Sequence, residues 1–185
     1  MDRKIIFNQI NQISNENKAK FSLEICNKII ELECYKRAKS IFIYKALDNE
    51  VCLDKLIDDS LDKGKIVAVP ITRQEIHLIK IDKTTQFEKK LFDVREPTFG
   101  EEINDVDLAI VPMVAFDKNC NRVGHGKGYY DRFLAKHKCI KIGVAFEMQQ
   151  IINCEVKSTD VAMDMIITEK SKFMNKLSKD NCNKF

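Results

Sequence analysis

The chain has 185 residues, 44% of them apolar and 32% charged, with 31 basic side chains against 28 acidic ones and a formal net charge of +3. That length suits one domain with a substantial core, here taken as residues 1–185, and those fractions exclude a disordered chain. No run approaches the roughly 20 apolar residues of a membrane span, Met1-Asp2-Arg3-Lys4 leads into no signal-type segment, and the basic residues form no stripe, so the expectation is a cytoplasmic monomer without membrane or nucleic-acid partners.

Ser14 stands where it can cap a helix over residues 15–33, in which Phe21, Ile25, Ile29 and Leu32 recur at helical spacing and give one apolar face. Ile41-Phe42-Ile43-Tyr44 follows as a strand, and Leu53, Leu56, Ile57 and Leu61 as an amphipathic helix stopped by Gly64. Ile66-Val67-Ala68-Val69 has the continuous apolar character of a buried strand ending at Pro70, whereas Ile76 to Ile81 alternates as a strand nearer an edge would. The polar stretch from Asp82 to Asn104, interrupted by Pro97, is expected to cross the surface as irregular structure.

Leu108-Ala109-Ile110-Val111 predicts a central strand, Tyr129 to Lys138 a helix, Ile140 to Phe146 another strand and Met165 to Thr168 the last, with a short helical tail from Lys170. Strands alternating with helices give an α/β fold, a single three-layer domain with a mainly parallel central sheet flanked by helices, whose ligands gather at the carboxyl ends of strands. Seven cysteines with no CxxC pair and no zinc-finger spacing are expected to be free thiols without a role.

Three of the six glycines fall in Gly124-His125-Gly126-Lys127-Gly128, after a loop and before the helix at Tyr129. Glycines let successive backbone N–H groups approach an anion, a helix N-terminus adds partial positive charge, and Lys127 supplies a cation, so phosphate is the expected guest. Arg122 could clamp phosphate oxygens and Asp131 could hold a magnesium ion, although the run has neither the Walker A spacing nor the dinucleotide fingerprint, and a tight structural turn would explain the glycines too. Tyr129 and Tyr130 could be core aromatics or could stack on a flat heterocycle, and Asp131 could cap its helix. His77 and His137 are expected to be structural.

Val111-Pro112-Met113-Val114-Ala115-Phe116-Asp117, followed by the run from Asn121 to Leu134, resembles the signature of 5-formyltetrahydrofolate cyclo-ligases. Tyr44 to Glu50 resembles the family's first-strand loop with its substrate-binding glutamate, and Val156 to Glu169 its closing strand with a metal-binding aspartate that falls on Asp160. The resemblance implies MgATP-dependent cyclisation of 5-formyltetrahydrofolate to 5,10-methenyltetrahydrofolate, with ATP and Mg2+ as cofactors, through phosphorylation of the formyl oxygen and an iminophosphate intermediate.

Transferred to this chain, it implies that Arg3, Arg122, Val123, Gly124, His125, Gly126, Lys127, Gly128, Tyr129 and Tyr130 meet ATP, with Lys127 and Arg122 catalytic. Glu50 and His125 to Tyr129 would face folate, and Asp131 and Asp160 would hold magnesium. Two positions depart from the pattern: Met113 stands where the family often has glycine, and His125 where tyrosine or arginine is common. A different small-molecule kinase or ligase on the same scaffold, or a non-catalytic binding relative, would retain the phosphate loop and differ in acceptor chemistry or turnover.

Overall fold

A computed structural model describes residues 3–90 and 94–176. Helices α1 (Arg3–Asn11), α2 (Asn15–Ile30) and α3 (Glu33–Arg37) open the chain, and Ser14 caps α2 as expected, its Oγ accepting from Asn17 N at 3.2 Å. The expected single helix over 15–33 breaks at Glu31, and α1 precedes it. There follow β1 (Ser40–Ile43), α4 (Asp54–Asp62), β2 (Ile66–Thr72), β3 (Ile76–Ile81), β4 (Phe87–Lys89), β5 (Arg95–Pro97) and β6 (Glu102–Ile103). The second half contains β7 (Leu108–Pro112), β8 (Ala115–Phe116), β9 (Arg122–Val123), α5 (Tyr129–Lys136), β10 (Ile140–Val144), β11 (Met165–Ile167) and β12 (Lys172–Met174).

Eight strands form the central sheet in the order β12-β11-β10-β7-β1-β2-β3-β6. β11, β10, β7, β1 and β2 run parallel, while β3, β6 and β12 pair antiparallel with their neighbours. Alternation along the buried strands makes the layers. Ile41, Ile43, Val67, Val69, Leu108 and Ile110 belong to one apolar cluster with Ile10 of α1, Ile25 and Ile29 of α2, Tyr35 of α3 and Leu56 of α4. Phe42, Ala68, Ala109 and Val111 belong to a second cluster with Phe133 and Leu134 of α5. Helices therefore cover both faces, as the fold-class expectation requires, and each fully buried Ile, Leu or Phe contributes about 1.5–3 kcal/mol relative to exposure.

Three local expectations change. β2 runs on through Pro70 to Thr72, because pairing with β1 stops at Ala68 and leaves only β3 beside the proline, on whose other side a missing N–H breaks no ladder. The stretch 82–104 is not wholly irregular: β4 and β5 form a hairpin from Phe87↔Pro97 to Lys89↔Arg95, and β6 makes the sheet edge, in segments too short and polar to show a period. Beyond Lys170 the expected helix gives way to β12, where Phe173 packs edge-on to Phe116 with ring centroids 5.2 Å apart. β11 is thus not the last strand; residues 177–185 of the tail lie outside the described residues.

Gly143 in β10 faces close company: a Cβ there would meet Met113 Cε at 2.3 Å and Ile166 Cγ1 and Met163 Cγ at 3.0 Å. Met113 is only 5% exposed, and its carbonyl accepts from Gln149 Nε2 at 2.7 Å.

Candidate active site

Successive crossovers leave the centre of the sheet in opposite directions, β1 to β2 on one side and β7 to β10 on the other. Adjacent strands diverging in this way open a crevice at their carboxyl ends. The Glu50 loop follows β1, and the glycine segment follows β7 through the β8–β9 hairpin, in which Ala115 pairs with Val123 and Phe116 with Arg122. Both loops therefore arise at that crevice.

Two glycines in the loop have backbone angles that disfavour other residues, Gly126 at φ +100° and Gly128 at +67°, the second being the N-cap of α5. Each glycine lies against a guanidinium. A Cβ at Gly124 would stand 2.9 Å from Arg122 Nη1, one at Gly126 3.5 Å from Arg3 Nη2, and one at Gly128 3.1 Å from Arg132 Nη1. Arg3 Nε donates to Gly124 O at 3.0 Å, fastening α1 to the loop, and Arg132 Nη1 donates to Lys127 O at 3.0 Å while its Cζ sits 5.0 Å from the Tyr129 ring centroid. Arg3, Lys127 and Arg132 are exposed, so three cations line the outside of one short loop.

Arg122 is placed differently. Its side chain is 4% exposed beneath the loop, its Cζ lies 5.6 Å from the Tyr130 ring centroid, and its Nη2 donates to Asp131 Oδ1 at 2.8 Å. Its Nε is buried without a hydrogen-bond partner. The Tyr130 ring is stacked on Phe42, with centroids 5.9 Å apart, so this tyrosine is held by the core, whereas Tyr129 flanks the cationic surface.

Glu50 is held by its own loop, Oε2 accepting from Leu47 N at 3.0 Å and its own N–H reaching Leu47 O at 3.0 Å. Its other oxygen, Oε1, stands 3.5 Å from His125 Nε2, and the His125 ring is stacked on Phe7 of α1 with centroids 5.9 Å apart. Beside it, burial first and the Glu50 charge second raise the hydroxyl pKa of both Tyr44 and Tyr130, so each stays protonated at neutral pH. Glu50 and the glycine loop, far apart in sequence, thus meet at His125.

Asp131 in the first turn of α5 accepts at the same Oδ1 from Val161 N at 3.2 Å. That bond brings the neighbouring Asp160 alongside α5 on the path into β11, not at a strand's carboxyl end. Asp160 Oδ2 accepts from Lys157 N at 2.8 Å within its own turn. Among the described residues no group of three or more His, Cys, Asp or Glu could hold a metal alone. The donors fit a different arrangement, because magnesium that arrives on nucleotide phosphates needs only one or two protein carboxylates. No described residue donates to Asp131 Oδ2, and the exposed guanidiniums and Lys127 suit phosphate oxygens.

Arg132, Phe7 and Tyr44 were absent from the sequence-derived set. For Arg132 a signal existed: it lies four residues after Gly128, one helical turn on, where i and i+4 share a face. The contact of Phe7 with His125 crosses from α1 to the loop and leaves no local pattern. His77 pairs with Glu102 at 2.6 Å, and His137 stacks on Phe133 near Asp105, both apart from the glycine loop. The six described cysteines are unpaired; burial raises the thiols of Cys26, Cys120 and Cys154 to about 12 and that of Cys139 to about 11, which disfavours thiolate chemistry.

Residues 2–169 match the model of the 5-formyltetrahydrofolate cyclo-ligase family. A probable 5-formyltetrahydrofolate cyclo-ligase of Caenorhabditis elegans is 30% identical over 186 residues, covering 90% of each chain, and the 5-formyltetrahydrofolate cyclo-ligase of Mycoplasma pneumoniae is 30% identical over 92% of this chain and 100% of its own. Among solved structures, the 5,10-methenyltetrahydrofolate synthetase of Aquifex aeolicus superposes with a TM-score of 0.84 at 31% identity, covering 94% of this chain and 91% of that one.

Proposed function

Because the chain belongs to the 5-formyltetrahydrofolate cyclo-ligase family, we propose that it converts 5-formyltetrahydrofolate to 5,10-methenyltetrahydrofolate, with ATP cleaved to ADP and phosphate. The observation that supports this most is the meeting of Glu50 with the glycine loop at His125. Direct phosphoryl transfer between two bound molecules needs their sites in contact, since reacting atoms must be held about 3–3.5 Å apart.

The backbone from Val123 to Gly128, with Arg3, Lys127 and Tyr129 around it, takes the nucleotide phosphates, Tyr130 supports the loop from the core side, and Arg132 adds a further guanidinium. Glu50 accepts from the pterin of the folate and fixes its formyl group toward His125 and the rest of the loop through Tyr129. Tyr44 and Tyr130, both uncharged, leave the Glu50 carboxylate as the anion on that side. Lys127, at the loop's outer surface, offsets charge that builds on the transferring phosphoryl group. Magnesium on the phosphates, held by Asp131 and Asp160 directly or through its waters, would supply further neutralisation.

The oxygen of an N-formyl group leaves its carbon poorly as oxide and well as phosphate. Transfer of the γ-phosphoryl group to that oxygen gives the iminophosphate and ADP. N10 then attacks the activated carbon, the carbon–oxygen bond breaks, and phosphate and the N10 proton depart. The protein acts in the cytoplasm on small molecules, as a monomer.

The test is direct. Purified protein mixed with MgATP and 5-formyltetrahydrofolate should generate the methenyl chromophore in step with ADP. ADP formed without that chromophore would point to another acceptor, and binding of both ligands without ADP formation to a non-catalytic relative.

A further inference from the structure

We infer that Arg122 is a positioning residue, which fixes the carboxylate of Asp131 for the nucleotide's metal and does not itself touch phosphate. The inference rests on the function proposed above and corrects the role that the sequence suggests for this arginine.

Four observations converge. The guanidinium is 4% exposed with the Tyr130 ring against it, so little of it is open to a phosphate on the loop's outer surface. Its one hydrogen bond to an acid goes to Asp131 Oδ1 at 2.8 Å, and Val161 N, at 3.2 Å, meets the same oxygen. With both donors on Oδ1, the carboxyl plane is set and Oδ2 is the oxygen presented to a ligand. Arg122 Nε has no acceptor although buried, so the side chain gives up one hydrogen bond in the position that serves Asp131. Gly124, finally, packs on the same group, for a Cβ there would come within 2.9 Å of Arg122 Nη1. The exposed guanidiniums of Arg3 and Arg132 are the ones placed to meet phosphate, consistent with a division between charge that binds the anion and charge that orients the metal's carboxylate.

The experiment is calorimetric titration of ADP, once in EDTA and once with saturating Mg2+, into the parent and the variants Arg122→Met, Arg122→Lys, Arg122→Gln and Asp131→Asn. A positioning role predicts that Arg122→Met leaves metal-free ADP affinity within about twofold while affinity in Mg2+ falls by roughly 10- to 100-fold, the loss of one charge-assisted bond. Arg122→Lys should recover part of the magnesium-dependent affinity. Arg122→Gln, which keeps a donor for Asp131 Oδ1 but loses the charge, should show a smaller loss confined to the Mg2+ condition and carries the test if Arg122→Met does not fold. The double variant Arg122→Met/Asp131→Asn should bind no worse in Mg2+ than Asp131→Asn alone.

A tenfold or greater loss of metal-free ADP affinity in Arg122→Met, or additive losses in the double variant, would mean that Arg122 binds phosphate directly and would overturn the inference. If the parent bound no ADP in either condition, the proposed function would fall, and the inference with it.

Discussion

Replacing Asp117 by asparagine tests how the chain reaching the glycine loop is held. The Asp117 carboxylate is 1% exposed and accepts from Asn119 N at 2.9 Å and Asn121 N at 3.2 Å through Oδ1, and from Asn121 Nδ2 and Cys154 N, both at 3.0 Å, through Oδ2. Burial alone would raise its pKa, but the Cys154, Asn121 and Asn119 donors outweigh burial and hold it below the usual carboxylate value. An asparagine can satisfy the Oδ1 pair with its carbonyl, and then turns an NH2 group toward two donors. Losing two charge-assisted bonds at about 1.5–3 kcal/mol each, less what relaxation and water recover, gives a destabilisation of about 3 kcal/mol. At about 2–4 °C per kcal/mol for a chain of this size, the melting temperature should fall by about 6–12 °C. Urea titration followed by circular dichroism measures the gap directly. A depressed folded pKa means stability present above the unfolded value near 3.9 and lost as pH falls through the folded value. The gap should hold between about pH 5 and 8 and shrink below about pH 4. A gap under about 1 kcal/mol at pH 7, or one that widens in acid, would refute the assignment of these bonds.

Lys127→Ala should fold as the parent does and lose about 2–4 kcal/mol of transition-state stabilisation in kcat/KM, about 30- to 900-fold; activity within about threefold would remove Lys127 from the chemistry. Glu50→Ala should weaken 5-formyltetrahydrofolate binding at least tenfold while changing ATP binding by less than about threefold, because its nearest phosphate-loop contact is His125 at 3.5 Å; calorimetry of each ligand separates the two, and equal losses would contradict the placement. Asp131→Ala and Asp160→Ala should each raise the magnesium concentration needed for half-maximal turnover, and the double variant should be much less than additive; an unchanged magnesium response in Asp160→Ala would take that residue out of the site.

Much of this architecture was legible because its buried parts carry their own period. Leu108 to Val111 read as a central strand and Ile66 to Val69 as a buried one since both faces of a parallel sheet are apolar, and Ser14 announced α2 through one local hydrogen bond. β12 and the β4–β5 hairpin were not legible, for three-residue strands exist through their partners and have too few side chains to show alternation. At the site, the glycine spacing marked the loop that Arg3 and Arg132 flank, and family resemblance drew attention to Glu50 and Asp160, acids that composition alone would leave on the surface. The contact from Arg3 to Gly124 links positions 121 residues apart in sequence, so only folding reveals it. Arg122 illustrates a subtler limit. Sequence shows that an arginine precedes the loop, but whether it lies above or beneath depends on Tyr130 and Asp131, whose hold on it is tertiary.

The crowding at Gly143 implies an exchange of mass between two positions. Met113 Cε fills much of the space that a side chain at 143 would take. Among homologues these two sites should drift as a pair, with a small residue at one licensing a larger one at the other. Gly143→Ala alone should be resisted, and Met113→Gly should relieve it. Because Gln149 grips the carbonyls of Met113 and Val114 immediately ahead of the β8–β9 hairpin, an unmatched change in this pair would be felt along the chain toward the glycine loop.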